Sequence, residues 1–180
     1  MLDLATNNPI ETLRLYAAAL SLGLLHSEDL PTIADRALSD GVYSDSLAEL
    51  ANTANPMMSE VGPLFRAAFA ELGIGPMPRK DAAWLLTRRC VQLLLDESRP
   101  PRQTLTVLRM IVDAARDVLP DFEYCGSGLD VGRLYAYSWS YDEPNENCFE
   151  GRIITSEVKR HAILDHNTRM EAREWLERHP

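Results

Sequence analysis

Two histidines and a carboxylate near the end of the chain are the residues best suited to chemistry. His161 and Asp165 stand at positions i and i+4, so a helix would bring both to one side, where they could bind a divalent metal ion. Glu157 stands one turn earlier and His166 follows, but the spacing fixes no third ligand. The simpler interpretation is an exposed His–Asp pair. We therefore predict no metal site, no cofactor and no catalytic residue, and keep a metal-dependent hydrolase as the last alternative.

Other signatures of catalysis or metal binding are incomplete. Ser127 lies between two glycines, but the segment has neither the Lys of a phosphate-binding loop nor the spacing of a nucleophile elbow. The three cysteines, Cys90, Cys125 and Cys148, are too far apart for a zinc site. Cys90 lies among Leu and Val, which predicts a buried thiol. The other two cysteines could pair if oxidised, but we expect free thiols.

The stretch of residues 121–150 indicates recognition instead. It holds seven aromatic rings among seven carboxylates and a single Arg. Aromatic anchors beside charge of one sign are typical of protein interfaces. The predicted partner-binding residues are four rings as anchors and four carboxylates as a rim that steers a basic partner: Tyr135, Tyr137, Trp139, Tyr141, Asp142, Glu143, Glu146 and Glu150. The structural alternative is that the rings cover the end of a helix bundle with their hydroxyls in water.

The charge of the chain limits the classes of partner. With 18 basic and 27 acidic residues the net charge is −9, which argues against a nucleic-acid binder, because such proteins neutralise phosphates with Lys and Arg. Residues 1–76 hold 10 acidic and 3 basic residues, whereas residues 77–120 hold 5 and 8. No apolar run approaches the roughly 18 residues that span a bilayer, and no basic region marks a secretory signal. We expect a cytoplasmic protein with no membrane partner and no nucleic-acid partner.

The elements that position these residues are predicted to be helices. Asn8 and Pro9 suit the cap and the first position of one helix, whose apolar stripe begins at Ile10. Ser46 and Glu49 form the signature of a capping box. Similar segments follow one another, separated by glycines and prolines. The pattern predicts an all-α fold, an irregular multi-helix bundle of about seven to eight helices.

Residues 1–180 are predicted to form a single helical domain. Subregions 1–73 and 79–180 are joined by a linker of glycines and prolines. The Gly/Tyr-rich segment 121–150 is ambiguous, since its rings alternate as in a strand while neighbouring residues follow helical spacing. We favour an irregular segment with a short helix.

The last helix is expected over residues 156–177. Its pattern allows a break near Asn167 and predicts that Val158 and Ala162 face inward.

Two parts of the first subregion match at a spacing of 32 residues. Ser27, Glu28, Pro31 and Gly41 are followed by Ser59, Glu60, Pro63 and Gly73. Such a period occurs in paired-helix repeats. Shared capping residues explain the match as well, because Gly23, Gly41 and Gly73 are each predicted to end a helix. A helical-repeat scaffold, whose concave face is lined from residues 10–72 and binds a peptide, is therefore the main alternative function.

Two segments carry a resemblance to a known group of proteins. The run Leu22–Leu30 followed by Ala34 and Asp35, and later Gly128-Leu129-Asp130 before a tyrosine-containing run, resemble small, acidic, all-helical bacterial proteins of the toxin-immunity type. The resemblance implies a binding role in which the protein covers the active site of a toxin, often a basic one. We therefore predict a monomeric or homodimeric interaction module, most simply an immunity or antitoxin-like inhibitor.

Overall fold

The computed structural model describes residues 2, 4–119, 125–142, 148, 149, 152, 153 and 157–180. The chain folds within them into eight α-helices, which confirms the predicted all-α bundle. The helices are α1 Pro9–Ser21, α2 Asp29–Ser39, α3 Asp45–Ala51, α4 Met58–Glu71, α5 Arg79–Leu94, α6 Pro101–Ala114, α7 Gly132–Ser140 and α8 Glu157–Arg178. A 3₁₀ turn covers Ser127–Leu129, and two strands of two residues each, β1 Cys148–Phe149 and β2 Arg152–Ile153, pair antiparallel.

The chain divides into two compact units, Met1–Leu85 and Leu86–Pro180. The division falls inside α5, whereas the predicted Gly/Pro linker lies within the first unit, between α4 and α5. In the first unit α2 packs on α3, α3 on α4, and α4 also on α1. In the second unit α6, α7 and α8 pack on one another.

The core of the first unit is formed by the apolar faces of its helices. Tyr16, Leu30, Leu47 and Phe65, one from each of α1 to α4, are at most 1% exposed. These side chains recur with neighbours at helical spacing, so each helix turns a continuous apolar stripe toward the others. Ile10 departs from the predicted stripe, because it lies in the first turn of α1 and is 37% exposed.

Three helices of the first unit end at the glycines predicted to stop them. Gly23, Gly41 and Gly73 have φ of +71°, +83° and +71°, the left-handed region that only glycine enters without steric penalty. At each end the next residue donates its N–H back into the last turn, as Ile74 does to the carbonyl of Phe69 at 2.7 Å. Because both copies of the 32-residue match end this way, shared capping accounts for their matching glycines.

Helix starts in the first unit follow local capping chemistry, with one correction. Asn8 Oδ1 accepts hydrogen bonds from the N–H groups of residues 10 and 11 at 3.0 and 3.3 Å, which confirms the predicted cap of α1. The cap predicted at Ser46 is wrong. Ser44 caps α3 instead, accepting from Leu47 N at 3.2 Å. Ser46 contacts Glu71 of α4, its N–H and its hydroxyl both donating to that carboxylate at 3.1 and 2.5 Å.

The long helix α8 differs from its sequence-based prediction in two respects. It runs unbroken over 22 residues, so the break that the pattern allowed near Asn167 does not occur. Its buried face continues past that point, as shown by Leu164, Thr168 and Trp175, each 0% exposed. Val158 is 79% exposed, and Ala162 is exposed too, because both lie off this stripe.

Helix α5 carries a buried cysteine in the second unit. Cys90 is 1% exposed and has buried apolar neighbours on the same helix, Leu86 and Leu94, which confirms the prediction. Burial raises the pKa of the Cys90 thiol to about 12, since the thiolate would lie out of contact with water. Cys125, by contrast, is exposed and not part of a disulfide.

Candidate interaction surface

Helix α7 decides where the predicted anchor rings lie. Leu134 and Ser138 are buried on it four residues apart, in helical spacing with the buried Val131 that precedes the helix. Successive odd-numbered residues of a helix point to different sides, whereas a strand would align them. The rings at 135, 137, 139 and 141 therefore do not share one face.

The four rings differ in exposure. Tyr135 and Tyr141 are 7% and 5% exposed and belong to the core of the second unit, contrary to their predicted place on a surface. Tyr137 is half-buried. Trp139 is 46% exposed and is the ring most available to a partner.

Tyr135 is held by a carboxylate of α6. Its hydroxyl donates to Asp113 Oδ1 at 3.2 Å, and its ring meets that of Trp139 edge to face, with centroids 6.5 Å apart. Burial, the charge of Asp113 and a hydrogen bond with Cys125 raise the pKa of Tyr135 above its ordinary value. This tyrosine therefore remains a neutral donor at physiological pH and fixes α7 against α6.

Tyr141 contacts two of the three residues considered for a metal site. Its hydroxyl donates to Asp165 Oδ1 at 2.5 Å, and its ring lies against that of His161, with centroids 5.5 Å apart. Burial, followed by the hydrogen bond and charge of Asp165, raises the pKa of Tyr141.

The side chains considered for a metal site do not converge. Nε2 of His161 lies 4.0 Å from Glu157, too far for a hydrogen bond. Within the described ranges no three His, Cys, Asp or Glu side chains come together as a metal site.

A mixed-charge cluster surrounds the exposed tryptophan. The guanidinium of Arg109 lies over the Trp139 ring, 4.4 Å from its centroid, in a cation–π contact. Arg109 also donates to Asp142 Oδ2 at 3.2 Å, and Arg102 donates to Asp142 Oδ1 at 3.0 Å. Arg102 and Arg109 stand seven residues apart on α6 and so share a face. We call these four residues the Trp139 patch.

The Trp139 patch changes the predicted role of the acidic rim. Hydrogen bonds from Arg102 and Arg109, reinforced by their charges, hold the pKa of Asp142 below its ordinary value, so the carboxylate stays ionised. Its charge is met within the patch by two arginines. The other predicted rim residues, Glu143, Glu146 and Glu150, lie outside the described residues. Sequence reasoning missed Arg102 and Arg109, although the basic excess in residues 77–120 is the signal that could have indicated them.

A second charged cluster fixes the end of α8 to the start of α7. The carboxylate of Glu171, whose residue is 7% exposed, accepts from Arg133 and from Arg178, each at 3.2 Å. Arg178 also donates to Asp130 Oδ2 at 2.9 Å, and His179 lies 3.0 Å from the same oxygen. Burial by itself would raise the pKa of Asp130, but the hydrogen bonds from His179 and Arg178 outweigh it and lower the pKa.

The cluster borders a shallow cleft of about 570 Å³, whose charged side chains are largely engaged with one another. The Gly128-Leu129-Asp130 segment, which carries Asp130 of the cluster, packs closely against Leu119. A Cβ at Gly128 would come within 2.8 Å of the Leu119 side chain. The carbonyl of Leu129 accepts the indole N–H of Trp175 at 3.0 Å. The arrangement ties the end of α8 to the turn before α7.

Comparison with known proteins finds no family model, no curated protein and no solved structure that matches this chain. The resemblance to immunity proteins therefore stays a prediction. None of the helices in the described part of the chain combines the length and the apolar content needed to cross a membrane.

Proposed function

We propose that this protein acts by protein–protein contact through the Trp139 patch, as a cytoplasmic immunity or antitoxin-like protein that covers the active site of a bacterial toxin domain. The observation that carries the proposal is the exposed ring of Trp139, fixed beneath the guanidinium of Arg109. Trp and Arg are the residues most enriched among the hot spots of protein interfaces.

The patch is organised before any partner arrives. Asp142 holds the guanidinium groups of Arg102 and Arg109, and Arg109 in turn holds one face of the indole. Side chains already fixed in place lose less conformational freedom on binding, so more of the contact energy contributes to affinity.

Charge supports a basic partner at longer range. The net charge of the chain is −9, and residues 121–150 hold seven of its carboxylates against one Arg. An acidic field speeds the approach of a basic protein, while aromatic and bidentate contacts at the patch determine how long it stays. In this proposal Glu143, Glu146 and Glu150 steer the partner, and Trp139 anchors it.

The experiment is co-expression with the product of the neighbouring gene, scoring growth rescue, co-purification and the dissociation constant. We expect rescue by the native chain and a loss of affinity of about 30-fold or more for Trp139→Ala, as for an interface hot spot. Tyr43→Ala is the matched control, since Tyr43 is an exposed aromatic residue of the first unit, 67% exposed. Rescue and binding unchanged in Trp139→Ala would remove the patch from the interface.

A second pair of variants separates steering from anchoring. Glu143→Lys with Glu146→Lys reverses two rim charges while keeping the ion pairs of Asp142, and we expect it to slow association at low salt more than at high salt. Asp35→Asn, a change of an exposed carboxylate on α2, is the control. An association rate independent of these charges and of salt would contradict a basic partner.

A further inference from the structure

A groove in the first unit lies apart from the Trp139 patch in the sequence and has a different chemistry. It encloses about 410 Å³ between α1, α4 and residues 74–77. That volume lies within the range of about 300–1,000 Å³ found for small-molecule sites. The groove is therefore large enough for a compact ligand.

The walls of the groove are mainly apolar. Ala17 and Leu20 stand three residues apart on α1, and Phe69 lies on α4, so each helix contributes one side. Ile74 and Met77 close the groove after α4. These side chains favour an aliphatic or aromatic body over a polar one.

The ends of the two helices that form these walls offer few free backbone hydrogen-bond acceptors to a ligand. At the end of α1 the carbonyls of Ala18, Ala19 and Leu20 accept from the residues that follow the helix. At the end of α4 the carbonyls of Ala68, Phe69 and Ala70 do the same. The glycine-terminated turns thus occupy the oxygens that would otherwise attract a cation.

The charged group of the groove is Arg66. Of the three arginines in residues 4–76, Arg14 pairs with Glu11 at 3.5 Å and Arg36 with Asp40 at 4.0 Å. Arg66 has no carboxylate within ion-pair distance among the described residues, and this exposed residue lines the groove. Residues 4–76 hold 9 acidic residues, so an arginine left without an acidic neighbour among the described residues is available to an external anion.

We propose that this groove binds a small monocarboxylate with an apolar body, whose chain lies between α1 and α4 and whose carboxylate pairs with Arg66. The apolar walls supply most of the affinity, and the guanidinium selects the acid over a neutral or cationic molecule of the same length. The groove and the Trp139 patch share no residue, because every lining residue of the groove belongs to the first unit.

The test uses three probes with the same eight-carbon chain: octanoate, 1-octanol and octylammonium. Each is titrated into the full-length protein below its micelle concentration and followed by amide chemical shifts. We expect octanoate to shift amides of α1, α4 and residues 74–77, and to bind about fivefold more tightly than 1-octanol, as for one exposed ion pair. Equal affinities for octanoate and 1-octanol, tighter binding of octylammonium, or no shift with octanoate would each overturn the proposal.

Variants assign the selectivity to one side chain. Arg66→Gln should make octanoate bind no better than 1-octanol, whereas Arg36→Gln, the same charge change on α2, should leave octanoate binding unchanged. Ala70→Trp, at an exposed position of the groove, should abolish binding of both probes while the spectrum stays that of a folded protein. Octanoate affinity equal in Arg66→Gln and Arg36→Gln would refute the assignment to Arg66.

Discussion

In the first unit three helices end at left-handed glycines, whereas in the second unit a left-handed position before α7 is occupied by Asp130, with φ +54°. The glycines adopt this conformation without stabilising contacts from distant residues, because they lack the Cβ that makes it unfavourable. Asp130 is held there by Arg178 and His179, side chains almost fifty residues later. At Asp130, long-range charge contacts hold a backbone conformation that the three glycines adopt through local chemistry. Left-handed positions also occur at Asn55 in the first unit and at Gly126 in the second.

The difference extends to the way the helices are joined. In the second unit, polar side chains of α7 and of the residue that follows it reach α6 and α8: Tyr135 to Asp113, Tyr141 to Asp165, and Arg133 to Glu171. The first unit relies more on apolar stripes, with Ser46 to Glu71 as a polar link between α3 and α4. The second unit should therefore respond more strongly to the removal of single polar or amphipathic side chains.

The largest expected effect is that of Trp175→Ala. Trp175 is 0% exposed, and its indole N–H satisfies the carbonyl of Leu129. Its removal leaves a cavity and a carbonyl without its donor, so we expect the free energy of unfolding to fall by about 3–5 kcal/mol. Chemical denaturation measures the loss, and hydrogen exchange should locate it in α7 and α8. Trp139→Ala is the control and should lower the stability by about 1 kcal/mol or less.

A smaller effect tests the buried carboxylate of α8. Glu171→Gln removes the charge that Arg133 and Arg178 share, and we expect a loss of about 1–2 kcal/mol, because both arginines can still reach water. Glu174→Gln, half exposed and 4.0 Å from Arg178, should cost less than about 0.5 kcal/mol. If Glu171→Gln and Glu174→Gln lowered the free energy of unfolding equally, the long-range charge contacts of Glu171 would not be important for the stability of the second unit.

The glycine ends of the first unit are tested by a matched pair. Gly73→Ala places a Cβ at φ +71° and should cost about 1 kcal/mol, although no atom lies within 4 Å of that Cβ. Gly75→Ala, two residues later at a position without positive φ and with open space, should be neutral or slightly stabilising. Thermal denaturation of both variants measures the difference, and similar behaviour would contradict a backbone origin.

The smallest effect is a pH dependence at the Trp139 patch. Because Arg102 and Arg109 lower the pKa of Asp142, its ion pairs contribute to stability above the unfolded-state value of about 3.9, and the contribution is lost as pH falls through the folded-state pKa. An NMR titration of the Asp142 carboxyl should therefore give a pKa below that of a model peptide. Arg102→Gln should raise that pKa, whereas Arg14→Gln should leave it unchanged.

Sequence reasoning was sufficient where the determining chemistry is local. The cap at Asn8 depends on residues two and three positions away, and the glycine ends depend on one backbone angle. Such interactions are visible in a short window of sequence, which is why the all-α fold and the three glycine-terminated helix ends were predictable.

The candidate site was less predictable because distant partners determine it. Ser46 has the signature of a cap, yet it contacts Glu71, 25 residues away, and Ser44 takes over the capping. The period-two spacing of the rings suggested a common face, but a helix buries Tyr135 and Tyr141 against carboxylates of α6 and α8. Arg102 and Arg109 could not be linked to Trp139 without the packing of α6 on α7.

The buried thiol of Cys90 can report how often the native protein opens and exposes α5. A thiol whose ionisation requires strongly alkaline conditions resists alkylating reagents until water reaches it, so its labelling rate follows the population of molecules with α5 exposed. The solvent-facing Cys125 reacts without such an event and calibrates the reagent within the same molecule. Peptide mapping after timed alkylation would thus show whether a bound partner or ligand slows the unfolding fluctuations of the native chain, with no engineered label.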